Sequence, residues 1–451
     1  MGLDFKLKDF AYPLSILRLK TTFDRNQWLQ EDKLYEYQLR RLKLIIEHAY
    51  RNVPYYNRIF KEKGITPGDI RSLDNLKILP FLTKDILRSS FKDLVAKNAS
   101  AYKPQLLSTS GTTGGAVKFY VDRPSNILEF VFYWRFWGWA GYRLGDTFAE
   151  LSAQFFTPYE KNVESFYHFE HLTRRLMVNS LLISSKNTKK IIEIFKRFKP
   201  RFLKGLPSNL YMLAWILRDI KDHGISFKAI FSQGENLLEY QRSMVEDVFS
   251  CKILDFYGHM ERTVAISQCP QKSYHVHLDY GIAEFEKVNR YSNEGHGKVS
   301  YIAEIVGTGL HNFSMPLIRY KTEDLVEINC VPEHCLCHRG FPTILSIHGR
   351  TADAIVTPDK RAITALYVAL DRTPGIDLGQ IIQETSNRIV VRVASSSTSF
   401  DKIDNLLIKN LRDFVGDSMD IKIVHDTVAR IRGEDPEKFK VVISRIVPDA
   451  I

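Results

Sequence analysis

The spacing of apolar residues along the chain predicts alternating helices and strands. From residue 31 to residue 52 the apolar positions recur at helical spacing, and this stripe ends before Pro54. Residues 126–141 are dense in aromatic side chains and predict a buried helix, and residues 191–198, which precede Pro200, predict another. We therefore expect several packed helices in the first half of the chain.

Short apolar runs between these helical segments predict buried strands. Residues 229–231 and 253–257 are apolar, and each run is followed by a loop that contains glycine. Ser208 is placed to cap a helix that continues through residues 210–217. Strands that alternate with helices predict an α/β core, in which ligands bind at the loops beyond the strand ends.

The pattern changes after Gly349. Residues 389–393 and 419–424 predict strands, and residues 401–415 predict an amphipathic helix between them. Together they predict a compact α+β unit of about a hundred residues, near the usual size of a domain, with its boundary at residues 349–353. The predicted domains are an α/β domain with sheets flanked by helices, 1–348, and a small α+β domain, 349–451.

The composition is that of an ordinary globular protein with a basic surface. Of the 451 residues, 44% are hydrophobic, and Lys and Arg outnumber Asp and Glu by 63 to 52, which gives a net charge of +11. Such a charge suits nucleic acid, an anionic membrane surface or a phosphate-rich substrate. The basic residues form neither a long run nor a stripe with interleaved aromatics, so we favour a solvated basic surface and expect no nucleic-acid partner.

The sequence gives no signal for secretion or membrane insertion. Residues 1–20 lack an apolar core followed by a small-residue cleavage site. No window reaches the roughly 18 uninterrupted apolar residues of a membrane span, and the richest apolar stretch, 130–140, is short and contains Arg135. We therefore expect a cytoplasmic protein without a membrane span, in which this stretch is a buried helix.

A loop rich in Ser, Thr and Gly lies directly before the strand-like run 117–121. Small residues allow close backbone approach, and the hydroxyl and N–H groups of such a loop can bind phosphate oxygens. Its hydroxyl groups are those of Ser108, Thr109, Ser110, Thr112 and Thr113. The loop is not a Walker motif, because G-x-x-x-x-G-K-[ST] is absent. It predicts a polyphosphate site of another kind, with a solvated loop as the alternative.

The cysteine spacing predicts a metal site rather than a disulfide framework. Cys335 and Cys337 form a close pair, and Cys269 and His275 supply two further ligands of the types that zinc binds tetrahedrally. These four are the preferred set for a structural zinc site, and free structural cysteines are the alternative. Other residues of the region that could serve instead are Cys330, His277, His334 and His338.

Charged residues follow several predicted strands. Glu235 and Glu261 each come after an apolar strand and a glycine, and Asp324 follows a strand-like run. Arg350 lies at the predicted domain boundary, and Lys438 precedes an apolar strand near the end of the chain. One such residue alone is more often a helix cap or a surface group. The order and spacing of all five are more informative.

This order resembles the adenylate-forming superfamily of acyl-CoA synthetases, peptide-synthetase adenylation domains and luciferases. Within it, the chain is most similar to the phenylacetate-CoA ligase family and its CapK-type members of capsular polysaccharide biosynthesis. The resemblance covers nearly the whole chain. The segments that carry it are the Ser/Thr/Gly-rich loop, 52–56, 79–84, 205–208, 308–312 and 315–320.

The resemblance implies ATP and Mg²⁺ as cofactors and gives roles to particular residues. Glu261 would bind Mg²⁺, Asp324 the ribose hydroxyls, and Lys438 the carboxylate and the α-phosphate, while Arg350 would begin the hinge of a mobile C-terminal domain. The implied phosphate-binding residues are Ser110, Gly111, Thr112, Thr113 and Gly114. The implied residues around the adenine are Gly234, Glu235 and Tyr257, with Gly258 beside them.

Several positions depart from the family pattern. Met260 replaces the usual Ser or Thr, Glu323 replaces a common glycine, and Ala352 stands where the hinge usually has Asp or Lys. Ala116 replaces a proline in the phosphate loop, and His338 replaces the glycine of a Cys-x-Cys-Gly-Arg run. These changes indicate a divergent member whose second reaction step is altered.

The predicted function is ATP-dependent activation of a carboxylic acid as an acyl-adenylate, with release of pyrophosphate. The acyl group would then pass to CoA or to an amine or hydroxyl of a sugar or amino acid. The alternative, motivated by Met260 and Ala352, is a non-catalytic nucleotide-binding or scaffold protein of a polysaccharide assembly pathway. The acid pocket would lie between the aromatic helix and residues 257–260, unless these aromatics are core, which is the favoured interpretation.

Overall fold

The computed structural model describes residues 11–108, 117–152, 165–293, 298–331, 335–350, 355–358, 362–363, 366, 368–371, 373–396, 400–432 and 439–446. The helices there are α1 Ala11–Asn26, α2 Glu31–Asn52, α3 Pro54–Glu62, α4 Lys84–Ser89, α5 Phe91–Leu94, α6 Arg123–Trp139, α7 Thr188–Phe198, α8 Pro207–Leu217, α9 Glu239–Phe249, α10 Val368–Asp371, α11 Phe400–Val415 and α12 Val428–Arg432.

The strands of the first two thirds of the chain are β1 Gln105–Ser108, β2 Lys118–Val121, β3 Phe148–Leu151, β4 Tyr167–Glu170, β5 Arg175–Val178, β6 Phe202–Gly205, β7 Ala229–Gln233, β8 Ile253–Gly258, β9 Ala265–Gln268, β10 Tyr274–Val276, β11 Gly281–Asn293 and β12 Lys298–Gly309. The remaining strands are β13 Tyr320–Asn329, β14 Thr343–Ile344, β15 Ser346–Arg350, β16 Ile355–Val356, β17 Ala362–Ile363, β18 Leu378–Thr385, β19 Arg388–Ala394, β20 Asp420–His425 and β21 Val442–Ser444.

A large mixed sheet forms the centre of the N-terminal part. Its described strands lie in the order β14-β10-β9-β8-β7-β6-β3-β5-β4, and the strands from β5 to β8 are parallel. The carboxyl ends of β6, β7 and β8 therefore lie at one edge. In open parallel sheets this is the edge at which ligands bind.

Helices cover both faces of this sheet. Alternate residues of a strand point to opposite faces, and on β7 Phe231 packs with the aromatic helix α6, whereas Ile230 packs with helices α7, α8 and α9. Helix α6 begins where the Asp122 carboxylate accepts the Ser125 N–H at 2.8 Å. The fold class predicted from the sequence, α/β with helices on the sheet faces, is confirmed.

Two further sheets follow in the chain. The first is antiparallel and has the order β11-β12-β13-β15. The second, with the order β20-β19-β18-β21, belongs to the C-terminal part and is mixed, because β18 pairs antiparallel with β19 while β20 and β21 each add in parallel. Helix α11 packs on the second sheet through Leu407 and Leu411, which share a buried cluster with Ile381 and Val391. The C-terminal part therefore has the predicted α+β character and a core of its own.

Most of the elements expected from the apolar pattern are present, and two details differ. Helix α8 begins at Pro207, so Ser208 lies inside the first turn and does not cap the helix. Strand β13 begins at Tyr320, so Asp324 lies within a strand, at a bulge, rather than after one. The confirmed elements include α2, α7 and α11 and the strands β7, β8, β19 and β20.

The aromatic helix α6 is part of the core, as favoured from the sequence. Phe132, Phe136, Trp137 and Trp139 are all buried. Arg135, the charged residue of this stretch, is also buried, because its guanidinium forms two bonds to the Asp279 carboxylate at 2.7 and 2.9 Å. Within the described residues, no helix has both the length and the apolarity needed to cross a bilayer.

Candidate active site

The loops after β6 and β7 meet through Glu235. Both oxygens of its carboxylate accept hydrogen bonds from Ser208, one from the backbone N–H and one from the hydroxyl, each at 3.0 Å. Ser208 lies in the first turn of α8, where backbone N–H groups favour an anion. The segment 205–208 and the Gly234-Glu235 pair, which are far apart in the sequence, therefore form one surface beyond the strand ends.

Tyr257 joins the large sheet to the neighbouring antiparallel sheet. Its hydroxyl, at the end of β8, donates to the Asp324 carboxylate at 2.7 Å. Burial, followed by the charge of Asp324, raises the pKa of Tyr257 well above its usual value, so the phenol stays protonated and donates. Asp324 also lies opposite Arg350 in the pairing of β13 with β15. Three residues singled out from the sequence are thus neighbours.

Glu261 is a buried carboxylate, and each of its oxygens is held. The Tyr320 hydroxyl donates to Oε1 at 2.7 Å, and His259 Nδ1 lies 3.2 Å from Oε2. Burial alone would favour the neutral acid, but the hydrogen bonds from His259 and Tyr320 outweigh it and hold the pKa of Glu261 below its usual value. A buried, ionised carboxylate with lone pairs to spare has the chemistry of a Mg²⁺ ligand.

Glu323 adopts a left-handed backbone conformation immediately before Asp324. Its φ is 64°, a region that favours glycine, which accounts for the glycine that is common at this position in the family. The carboxylate of Glu323 forms an ion pair with Lys84 at 2.7 Å. The backbone turn needed to present Asp324 is therefore kept although the glycine is missing.

The two ends of the phosphate loop are held by an antiparallel hairpin. Strand β1 pairs with β2 from Gln105 opposite Val121 to Ser108 opposite Lys118. Phe119 of β2 and Tyr320 belong to the same buried cluster, so the base of the loop lies in the core that also supports Tyr320. The loop residues assigned to phosphate, Ser110 to Gly114, lie outside the described residues, as does Lys438, and for Arg350 only the backbone is described.

The four residues predicted to hold zinc lie together. One ligand atom from each of Cys269, His275, Cys335 and Cys337 lies within 4.8 Å of the others. Cys269 Sγ is 3.6 Å from Cys335 Sγ, and Cys337 Sγ is 3.2 Å from His275 Nε2. Tetrahedral zinc with ordinary bond lengths places two thiolates about 3.8 Å apart and a thiolate and an imidazole nitrogen about 3.6 Å apart. The cluster therefore fits zinc with small adjustments.

The orientation of His275 also suits a metal ligand. Its Nδ1 bonds to the Phe341 carbonyl at 3.2 Å, and only an N–H can do so, which leaves the Nε2 lone pair facing Cys337. Burial lowers the pKa of His275 to about 4, so the imidazole is neutral at physiological pH. Of the other candidates, Cys330 is exposed, His277 bonds to Arg135, and His334 lies outside the described residues.

We expect purified protein to contain about one zinc per chain, since four-coordinate structural sites bind the metal tightly. Metal analysis after dialysis measures this content. Cys337→Ser should lower it severalfold, whereas Cys330→Ser, which changes a cysteine outside the cluster, should leave it unchanged. Wild-type protein without zinc would contradict the site, and equal loss in both variants would contradict the choice of ligands.

Polar contacts join the C-terminal part to helix α8. The guanidinium of Arg432, at the end of α12, donates to the Ser208 carbonyl at 2.9 Å. The Tyr211 hydroxyl donates to the Asp377 carbonyl, and the Arg218 guanidinium lies 3.9 Å from the Asp377 carboxylate. Because Ser208 also binds Glu235, the C-terminal part contacts the same helix turn that forms one side of the candidate site.

Comparison with known proteins agrees with this architecture. No protein-family model matches the chain. Protein CapK of Staphylococcus aureus is 24% identical over 387 residues, which cover 84% of this chain and 82% of that protein. The phenylacetate-coenzyme A ligase of Pseudomonas putida is 27% identical over 339 residues, 72% of each chain. The solved structure of 2-hydroxyisobutyryl-CoA ligase in the postadenylation state superposes with a TM-score of 0.69 over 93% of this chain and 91% of that one, at 18% identity.

The chain has the fold of an adenylate-forming ligase, with a large N-terminal and a small C-terminal domain. In sequence it is related to CapK and to phenylacetate-CoA ligases. The fold brings Glu235, Tyr257, Glu261 and Asp324 to the strand ends and loops between the two large sheets.

The sequence did not predict the contribution of three residues to the candidate site. Tyr320 ends a segment that carries the resemblance, but nothing in that segment indicates that its hydroxyl binds Glu261. Ser208 was expected to be a helix cap, and His259 was given no role. A polar residue two positions before a functional carboxylate is a weak signal, which only the three-dimensional contacts make specific.

Proposed function

We propose that this protein activates a carboxylic acid with ATP to form an acyl-adenylate and pyrophosphate, and then transfers the acyl group to CoA. One observation carries the proposal. Two hydrogen-bonded pairs, Glu261 with Tyr320 and Tyr257 with Asp324, lie together beyond the carboxyl ends of the parallel strands. Those residues lie in one region of the fold, together with Glu235. The sequence relation to phenylacetate-CoA ligases and the shared fold support the same reaction.

Each residue has a task in the first step. An oxygen of the acid attacks the α-phosphorus, the bond to the β-phosphate bridge breaks, and pyrophosphate leaves with the electron pair. Asp324, oriented by Tyr257, would accept hydrogen bonds from the ribose hydroxyls and hold the nucleotide in line with the acid. Glu261 would hold Mg²⁺, which when bound offsets the negative charge that accumulates on the phosphates. Lys438 would neutralise charge shared by the carboxylate and the α-phosphate.

CoA is the acceptor that we propose for the second step. In that step the CoA sulfur attacks the acyl carbon of the adenylate, and AMP leaves. Several of the related proteins are named as CoA ligases. An amine or hydroxyl of a sugar or amino acid is the competing acceptor, because the chain is also related to CapK, over 84% of its length. A role in polysaccharide assembly would follow if that second class of acceptor were used.

We propose that residues 349–451 move as a unit about residues 349–353 between the two steps. Among the described residues, three polar contacts join this unit to α8 and to Arg218, which follows it: Arg432 bonds to the Ser208 carbonyl, and Asp377 contacts Tyr211 and Arg218. An interface of this kind separates more easily than a large apolar one. Such motion would carry Lys438 toward the nucleotide for adenylation and away from it for transfer.

Exchange of labelled pyrophosphate into ATP tests the first step. We expect a panel of aryl, fatty, amino and sugar acids to contain at least one that raises exchange on the order of a hundredfold above the acid-free rate, since positioning accounts for much of the acceleration. Adding CoA should then yield a thioester. An amide or ester formed instead with a sugar or amino acid would replace CoA as the acceptor.

Two outcomes would contradict the proposal. Exchange at background with every acid, together with measurable ATP binding, would favour the non-catalytic nucleotide-binding alternative. Absence of both exchange and ATP binding would exclude the nucleotide site. The acid-free reaction and protein inactivated by heat serve as controls in each case.

A further inference from the structure

His259 makes three hydrogen bonds that connect Glu261 to the turn 259–264. Only 11% of its side chain is exposed, and Nδ1 lies 3.2 Å from Oε2 of Glu261. Nε2 lies 3.1 Å from the Thr263 hydroxyl and 3.3 Å from the Val264 backbone nitrogen. The imidazole therefore bridges the carboxylate and the backbone of its own turn.

The bond from Val264 fixes which nitrogen carries the proton. A backbone N–H can only donate, so Nε2 must present its lone pair. In a neutral imidazole the hydrogen then lies on Nδ1, the nitrogen that faces Glu261. His259 is thus a donor to Glu261, held in that tautomer by the Val264 N–H and the Thr263 hydroxyl.

The turn that carries these groups has little room to move. Thr263 is fully buried and packs between glycines of β11 and β12. A Cβ at Gly281 would lie 1.8 Å from the Thr263 carbonyl oxygen, and a Cβ at Gly307 would lie 1.9 Å from the Thr263 hydroxyl. Any side chain at either glycine would push the turn away, so Thr263 and His259 are held in place by the sheet.

The neighbouring residue cannot take over this contact. Met260 has no hydroxyl, and 48% of it is exposed. The other oxygen of Glu261 is held from a different strand by Tyr320 at 2.7 Å. His259 and Tyr320 together allow the carboxylate one orientation and leave its remaining lone pairs available to a cation.

We infer that His259 is a positioning residue, whose Nδ1–H fixes the Glu261 carboxylate in the orientation that binds the Mg²⁺ of the nucleotide. This inference rests on the proposed function. It assigns to His259 a role in metal affinity rather than in folding or proton transfer. Partners that orient a metal-binding side chain typically change affinity by about 10- to 100-fold when they are removed.

Two amide variants separate the bond to Glu261 from the bonds within the turn. In His259→Asn the amide nitrogen is attached to Cγ, as Nδ1 is, so it can still donate to Glu261 but cannot reach Thr263 and Val264. In His259→Gln the amide is one atom longer, so it replaces Nε2 and loses the bond to Glu261. His259→Leu removes both sets of bonds.

Binding of Mn²⁺ in the presence of a non-hydrolysable ATP analogue, followed by electron paramagnetic resonance, gives a readout that does not need turnover. We expect His259→Gln and His259→Leu to weaken Mn²⁺ binding by about 10- to 100-fold, and His259→Asn to stay within about threefold of wild type. In steady-state assays the same two variants should raise the KM for Mg²⁺ more than they lower kcat at saturating Mg²⁺.

Two results for the variants would overturn the inference. One is Mn²⁺ affinity in His259→Gln equal to that of wild type, and another is a loss in His259→Asn as large as in His259→Gln, which would indicate a role in the turn alone. If His259→Leu does not fold, the two amide variants still decide. If wild-type protein exchanges pyrophosphate but the His259 variants bind Mn²⁺ as tightly as wild type, this inference alone is refuted. If wild-type protein does not exchange pyrophosphate, the proposed function and this inference are both refuted.

Discussion

Lys438→Ala should lower ATP–pyrophosphate exchange on the order of a thousandfold. The acid carboxylate and the α-phosphate are both anions, and their approach requires a cation that is in place before the reaction. In the proposed site, Glu261 and Asp324 would add negative charge around the nucleotide, so Mg²⁺ alone would leave this approach unfavourable. The measurement is the exchange rate with the best acid of the panel at saturating ATP.

Lys440→Ala is the matched control, because it removes the same charge two residues later, beside β21. Its exchange rate should stay within about threefold of wild type, as expected for a charge that does not touch the reacting groups. A second measurement starts from synthetic acyl-adenylate and CoA. There Lys438→Ala should retain most of the transfer rate, since the proposed motion would carry Lys438 away from the reacting groups before transfer. Equal exchange rates in Lys438→Ala and wild type would remove Lys438 from the mechanism.

Arg135→Met should lower the free energy of unfolding by about 3–5 kcal/mol, because it leaves the Asp279 carboxylate buried without its cation. Both side chains are fully buried, and Arg135 also bonds to the Phe23 carbonyl at 2.9 Å. Denaturant titration followed by tryptophan fluorescence measures the loss.

Arg58→Met gives the surface comparison. Arg58 lies 3.3 Å from Asp93, with 48% and 49% of the two side chains exposed, and such pairs contribute about 0–1 kcal/mol. The double variant Arg135→Met with Asp279→Leu should recover much of the stability, because it leaves no unpaired buried charge. If Arg135→Met and Arg58→Met cost the same free energy, the buried pair does not stabilise the fold as described.

Local chemistry made part of this site predictable. The types and spacing of Cys335, Cys337, Cys269 and His275 are enough to suggest tetrahedral metal ligation, and the fold places their ligand atoms together. The aromatic helix α6 was predicted in the core, because a short apolar stretch with one arginine fits a packed interior better than a bilayer. In both cases residue type and short spacings carry the information, although Cys269 and Cys335 of the zinc set are 66 residues apart.

Pairings between distant strands could not be predicted in this way. The contact of Tyr257 with Asp324 depends on how the large sheet packs against β13, and the bond from Tyr320 to Glu261 depends on the same arrangement. The bulge at Glu323 shifts the pairing with β12 and so determines where Asp324 points. A shift of one residue would turn each side chain to the opposite face.

The donors and acceptors of the two hydrogen bonds that join the C-terminal part to α8 differ in how sensitive they are to substitution. The acceptors at Ser208 and Asp377 are main-chain carbonyls, which every residue type supplies, so substitution there leaves them intact. The donors are the side chains of Arg432 and Tyr211. Inherited variation in these two hydrogen bonds therefore arises at the two donor positions, one on each side of the junction, whereas the ion pair of Arg218 with Asp377 depends on both of its side chains.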